Sequence, residues 1–178
     1  MQNLLKAGLT IGLMAGFFFI LLFITLFALD TPLTSLMYNA DWGLIVFFVF
    51  ITQIYFRDYL NYQEMRLTEG LISGMIGTLL SALIISLFIF VLMNFITPDA
   101  LANDVKLSIA GLLNKNEEGK YFYVEKYGQV AFDEQLLAFK TITVNQIATL
   151  KFASISLIGF VFSLVFSIFL RKKHVTEA

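Results

Sequence analysis

Few residues in this sequence belong to the types that carry out covalent or metal chemistry. The chain has one histidine, His174, and no cysteine among its 178 residues, which excludes thiolate chemistry and disulfide bonds. The other candidates for binding a cation are three acidic pairs, Asp99 with Asp104, Glu117 with Glu118, and Asp133 with Glu134. A metal site needs several converging ligands, whereas separated pairs are typical of a solvated surface. We therefore predict no metal, no cofactor and no catalytic residue, and we expect that the protein is not an enzyme.

The composition indicates that lipid is the solvent of this chain. Hydrophobic residues make up 58% of the sequence and charged residues 14%, against about 45–50% and about 25% in a typical soluble domain. A protein of this length could not bury so much apolar surface within a single soluble core. The net charge of -1 does not provide the basic face that a nucleic acid would require. The partner that the composition predicts is the lipid bilayer.

Four apolar runs are the candidates for membrane-spanning helices: residues 7–29, 42–56, 71–96 and 152–170. The first and third would reach roughly 34 and 39 Å as helices, more than the hydrocarbon core of about 30 Å. The second run is the shortest, but Trp42 and Tyr55 near its ends suit the depth of the lipid headgroups. We predict one all-α integral membrane domain, 1–178, with an amphipathic extracytoplasmic segment, 97–150, between the third and fourth helices.

Polar groups inside these runs are hydroxyls and amides. Charged side chains are absent from all four runs, which argues against proton relays, ion-coupled transport and voltage sensing. Gln53 and Asn94 fall near opposite faces of the membrane, and we interpret them as partners in interhelical or interfacial hydrogen bonds.

The outer segment carries structure of its own. Thr97 suits the N-cap of a helix and Pro98 its first position. The apolar residues that would then share one face are Leu101, Val105, Ile109 and Leu112. The aromatic stretch 121–128 is compatible with a short strand or with a hook in the membrane interface. Residues 133–150 read as a helix that either continues into the fourth span or breaks at the β-branched residues 141–144.

Small residues recur at helical spacing in three of the four runs. Each interior glycine costs a helix about 1 kcal/mol relative to alanine, so repeated glycines need a reason. In lipid the hydrophobic effect does not draw helices together, and close backbone approach contributes more. We therefore predict that these residues pack helices together, the first against the third, and a ligand groove between the stripes is the alternative. The predicted helix-packing residues are Gly8, Gly12, Gly16, Gly70, Gly74, Gly77, Ser81, Gly159 and Ser163.

Four local strings are informative: the opening "LKAGLTIGLMAG", the turn and third helix "MRLTEGLISGMIGTLLSALI", the exit "NFITPDALAND" and the closing "RKK". Together they resemble the domain-of-unknown-function 4199 family, small four-helix inner-membrane proteins of Bacteroidota-type bacteria. The resemblance implies a bacterial inner membrane. It implies no functional residues, since the family has no agreed activity.

Basic residues in the short loops predict the orientation. Arg57 and Arg66 lie in the second connection and Arg171 begins the tail, whereas residues 30–41 contain two acids and neither lysine nor arginine. By the positive-inside rule, both termini are cytoplasmic and the outer segment lies on the other side. The first run exceeds the roughly 7–15 residues of a signal-peptide core, so we expect it to remain in the mature protein.

These observations favour an interaction or scaffold protein, present as a homo-oligomer or as an accessory subunit of a membrane complex. The alternative is a passive channel or carrier for a neutral or lipid-like solute. A third reading is an enzyme that acts at the membrane surface. A continuous polar lumen would favour the channel, and an exposed face that matches a neighbour would favour the interaction protein.

The charge pattern leads to a topology prediction. Because the chain lacks cysteine, Asn116→Cys and Thr176→Cys each provide a single thiol. An impermeant thiol reagent applied to intact spheroplasts should label Cys at 116 and leave Cys at 176 unlabelled. Labelling at 176 with none at 116 would contradict the predicted orientation.

Overall fold

A computed structural model describes residues 1–28, 33–99, 101–103, 105, 106, 109 and 124–171. Within these residues the chain forms helices and turns, without an extended β-strand. The long helices are α1 (Gln2–Ala28), α2 (Leu33–Ile54), α3 (Leu67–Val91), α4 (Gln129–Thr141) and α5 (Val144–Leu170). A π-helical segment, Tyr55–Leu60, extends α2, and another, Leu92–Ile96, extends α3.

Four of the helical stretches are long and apolar enough to cross a membrane, so the predicted fold class is confirmed. They are Gln2–Thr25, Trp42–Leu60, Leu67–Ile96 and Val144–Leu170. The protein is therefore a membrane protein, and the outer faces of its helices contact the lipid bilayer. The fourth stretch begins eight residues before the predicted run, which started at Phe152, because the helix continues through Lys151.

Helix α3 is the centre of the bundle and contacts α1, α2 and α5. The order of their contacts shows that α1 and α3 run parallel to each other, whereas α3 and α5 run antiparallel. Large apolar side chains fill one end of the bundle, where Phe23, Ile45, Ile89 and Ile155 are buried together. The small residues described below occupy the middle and the other end.

The connection between α2 and α3 closes the end of the bundle that holds the amino terminus. Tyr62 and Gln63 adopt positive φ values of 52° and 66°, which reverse the chain within a few residues. The Asn3 side-chain amide donates to the Leu60 carbonyl over 2.7 Å. Met65 is buried in a small apolar cluster that also contains Ala7 and Phe56. These contacts fix α1, α2 and α3 relative to one another at this end.

Of the two readings of residues 133–150, the structure shows the break at residues 141–144 and not the continuous helix. Helix α4 ends at Thr141 and α5 begins at Val144. Thr143 caps α5, because its hydroxyl accepts from the Gln146 N–H and its own N–H donates to the Gln146 side-chain oxygen. This reciprocal capping box satisfies two backbone donors that the new helix would otherwise leave unpaired. The result is an elbow between α4 and α5.

The outer segment begins as predicted, with Thr97 outside a helix and Pro98 within one. The predicted apolar face is half-buried at Leu101, Val105 and Ile109, and Leu101 packs against the core. Leu112 and residues 121–123 lie outside the described residues. Residues 124–127 form a helical turn, so the strand interpretation is wrong for that part of 121–128.

The half-buried face predicts the effect of charge in the outer segment. Changing Val105 and Ile109 together to Asp should lower the free energy of unfolding by about 1–3 kcal/mol, because carboxylates would be withdrawn from water without partners. Thermal unfolding in mild detergent measures this change. Leu137→Asp is the matched control, because Leu137 of α4 is 61% exposed. Equal stability of all three proteins would show that the face contributes nothing.

Candidate functional site

The candidate site is the line of small and polar residues along which α1, α2 and α5 meet α3, here called the seam. Its α1 side is the glycine stripe. A Cβ atom placed on Gly12 would lie 2.7 Å from the carbonyl oxygen of Gly77 and 3.0 Å from its Cα. Since a Cα–Cβ bond is about 1.5 Å long, the two backbones approach each other more closely than any side chain would permit. The nearest neighbours of Gly8 and Gly16 are instead side chains of α3, Ile76 for Gly8 and Ile84 for Gly16.

The α5 side of the seam pairs glycines with hydroxyl residues. Gly70 of α3 receives Ser167, and Gly74 receives Ser163. At the next contact along the helices the roles are exchanged: α5 provides the glycine, Gly159, and α3 provides the side chain that packs against it, Thr78. Each glycine thus provides the space that a small hydroxyl side chain of the opposite helix occupies.

Gln53 joins α2 to this arrangement. Its side chain is fully buried, and its Nε2 donates to the Ser163 carbonyl over 2.8 Å. This interhelical hydrogen bond lies beside Gly74, where an added Cβ would be 3.1 Å from the same nitrogen. Thr52 also enters the seam, next to Gly77. Asn94, by contrast, is exposed and donates to the Phe90 carbonyl of its own helix.

Most hydroxyl groups in the seam are satisfied within their own helices. Thr52 donates to the Phe48 carbonyl, Thr78 to that of Gly74, and Ser81 to that of Thr78. In the same way, the Ser73 hydroxyl donates to the Gly70 carbonyl, and the Ser167 hydroxyl donates to the Ser163 carbonyl. Such back-bonding removes the cost of an unpaired hydroxyl without using a partner on another helix.

Three buried polar atoms of the seam and its flank have no hydrogen-bond partner. They are Gln53 Oε1, Ser163 Oγ and Ser156 Oγ. Elsewhere in the seam, between α1, α2 and α3, a gap lined by Gly12, Thr52, Gly77 and Ser81 among others has no room for a water molecule. The seam is therefore a packed contact rather than a lumen at this level. Among the described residues, no group of three or more histidines and acids could hold a metal ion.

One charged residue, Lys151, packs closer to the bundle than the predicted apolar runs indicated. Lys151 is half-buried on the face of α5 that carries Ile147 and Ile155, four residues to either side. The four-residue spacing of Ile147, Lys151 and Ile155 indicates in the sequence that they share a helix face. The predicted apolar run begins only at Phe152 and does not include Lys151. Thr52 and Thr78 were also missed as seam residues, since a threonine in a membrane helix has no distinctive pattern.

Comparison with known proteins places the chain in a family. A family model described as "Protein of unknown function (DUF4199)" matches residues 6–172. The chain belongs to the DUF4199 family. This confirms the resemblance seen in the sequence. No curated protein and no solved structure matches the chain. The family match covers nearly the whole chain but assigns no role to any residue. The geometry of the seam is therefore the basis for a functional proposal.

The α1–α3 contact predicts opposite outcomes for one substitution at two glycines. Gly12→Leu should lower the free energy of unfolding by about 1–3 kcal/mol, because the side chain would meet the α3 backbone and force the helices apart. Gly43→Leu is the matched control, since an added Cβ there meets nothing within 4 Å. The stability of the detergent-solubilised monomer should be unchanged or higher, because leucine favours a helix more than glycine does.

Titration with sodium dodecyl sulfate, followed by circular dichroism, compares the two variants in detergent. An equal loss of stability in both would contradict the role assigned to Gly12.

Proposed function

We propose that this protein is a non-enzymatic interaction or scaffold component of the bacterial inner membrane, acting as a homo-oligomer or as an accessory subunit of a membrane complex. The observation that carries the proposal is the position of Gly43 on α2. Among the described glycines within the spanning helices, the others lie against a neighbouring helix of the chain, whereas Gly43 faces open space. A glycine that weakens a helix without serving an internal contact is explained by a contact with another helix.

The surroundings of Gly43 support a helix contact. Trp42 and Phe47 beside it are both more than half exposed, and Phe50 lies on the same side. Phe47 follows Gly43 by four residues and therefore shares its face. An open glycine flanked by large aromatic rings would allow a neighbouring helix to approach closely and to be held by broad dispersion contacts.

The distribution of basic residues supports cytoplasmic termini. The contacts among Asn3, Leu60 and Leu170 bring the amino terminus and the end of α5 to the same end of the bundle. Arg57 and Arg66 also belong to this end. The positive-inside rule favours the cytoplasm for such a cluster.

The alternative is a passive channel or carrier for a neutral or lipid-like solute. The unpartnered atoms Gln53 Oε1 and Ser163 Oγ favour it, because a passing solute could supply their hydrogen bonds. The gap beside Gly12 and Gly77 has no room for water, so a solute could pass at that level only if the helices separated. Glycerol flux into proteoliposomes above the rate in empty liposomes would support the carrier.

Photo-crosslinking tests the interaction proposal. Phe47 is replaced by benzoyl-phenylalanine in cells, and the membranes are irradiated before purification. We expect a protein adduct heavier than the monomer, and mass spectrometry distinguishes a second copy of the chain from another subunit. Adding Gly43→Leu should strongly reduce the adduct, because the leucine would hold the neighbour away.

The matched control for crosslinking is Phe160 of α5, which is exposed to a similar degree. Benzoyl-phenylalanine at this position should give lipid adducts without the same protein adduct. Lipid adducts alone at both positions would overturn the proposal that α2 presents a helix-contact surface.

A further inference from the structure

The elbow between α4 and α5 encloses a groove of about 520 Å³. Its lining residues are Ala138, Thr141, Ile142, Asn145, Gln146, Thr149 and Leu150. The capping box at Thr143 holds the two helices at this angle, since it starts α5 immediately after α4 has ended. The groove volume is in the range of sites that hold a small molecule.

The lining is uncharged, and most of its surface is apolar, with a few polar side chains set into it. Asn145, Gln146 and Thr149 are exposed in the groove, and Ile142 and Leu150 supply apolar surface. The Gln146 side-chain oxygen accepts from Thr143, which leaves the donors of its amide nitrogen for other acceptors. The groove can therefore donate hydrogen bonds to phosphate or ester oxygens while contacting hydrocarbon at its lower edge.

The groove lies where α5 enters the membrane. Residues 152–170 below it are free of charge and reach roughly 28 Å, about the thickness of the hydrocarbon core. On the same face of α5, an apolar ridge of exposed side chains continues downward from the groove. It consists of Leu150, Leu157, Val161, Leu164 and Ile168. An acyl chain lying on this ridge would bring its headgroup into the groove.

Charges near the groove select among headgroups. Glu134 is exposed on α4, four residues before Ala138 of the lining, and therefore lies on the same face of the helix. Asp133 is exposed beside it. The lysines closest to the groove along the chain, Lys140 and Lys151, fall on other faces of their helices, and Lys151 shares the buried side of α5 with Ile147. The local field thus favours a cationic group and disfavours net negative charge.

We propose that this groove binds one phospholipid of the bilayer with a zwitterionic, amine-bearing headgroup of the phosphatidylethanolamine class. Its phosphate and ester oxygens accept from Asn145, Gln146 and Thr149. Its ammonium group lies toward Glu134, and one acyl chain follows the ridge that begins at Leu150. This is a specific lipid site, distinct from the general contact of the helices with the membrane and from the α2 surface at Gly43.

Native mass spectrometry of the full chain, released from nanodiscs that contain equal amounts of phosphatidylethanolamine and phosphatidylglycerol, tests the site. We expect retained phosphatidylethanolamine to exceed phosphatidylglycerol by about threefold, the effect of one partly exposed charge interaction. Glu134→Gln should bring the ratio close to one. Asn145→Leu combined with Thr149→Leu should remove most of the retained lipid of both kinds.

The matched control is Asn94→Leu, which removes an exposed amide at the same end of the bundle but outside the groove. It should leave both the ratio and the amount of bound lipid unchanged. Because Glu134 is exposed, its substitution remains informative even if the double variant fails to fold. Equal retention of the two lipids by the unaltered chain, or an equal loss in the Asn94 variant, would overturn the proposal.

Discussion

The close approach of α1 and α5 to the backbone of α3 is the contact on which the rest of the structure depends. Lipid tails are as apolar as leucine, so burying leucine against leucine gains little in a membrane. What remains is dispersion between atoms at close range, and this requires the backbones themselves to come together. Gly12 against Gly77, and Gly74 against Ser163, provide that approach on two sides of one helix. Helix α3 can therefore hold both neighbours at once.

Polar side chains contribute to this packing because they are small and because their hydroxyl groups form hydrogen bonds within their own helix. Thr78 and Ser81 bond to carbonyls of their own helix, so they fit beside glycine without needing a partner across the interface. Gln53 is different, because its amide crosses from α2 to α5. Hydrogen bonds of this kind contribute about 0.6 kcal/mol on average in membranes. Its larger effect is to fix the register of α2, which small residues alone would leave free to slide.

A bundle centred on α3 leaves the outward faces of α2 and α5 for other contacts. Helix α2 presents Gly43 with aromatic neighbours, and α5 presents an apolar ridge that starts at Leu150 beside the groove that holds Asn145, Gln146 and Thr149. The two surfaces differ in chemistry, since one offers backbone access and ring surface and the other offers amides above hydrocarbon. A gap within the seam that has no room for water is consistent with a protein whose interactions occur at its periphery.

The sequence by itself determined the class of the protein, because composition and run length report directly on the solvent around a helix. It also indicated a helix start at Pro98, and it marked residues 141–144 as the place where a later helix could break, since caps and β-branched residues act locally. The spacing of small residues showed which faces of α1, α3 and α5 were suited to close contact. Family membership followed from strings spread along most of the chain.

Only the tertiary structure decided which small residue meets which. Gly8, Gly12 and Gly16 have identical local patterns, yet Gly12 meets backbone while the other two meet isoleucines. The structure also distinguished Gln53, buried across two helices, from Asn94, exposed on one, although both were expected near membrane faces. It placed Lys151 on a buried face and left Gly43 open. Local spacing specifies the faces of a helix, but the rotation and register of its neighbours depend on contacts between residues far apart in the chain.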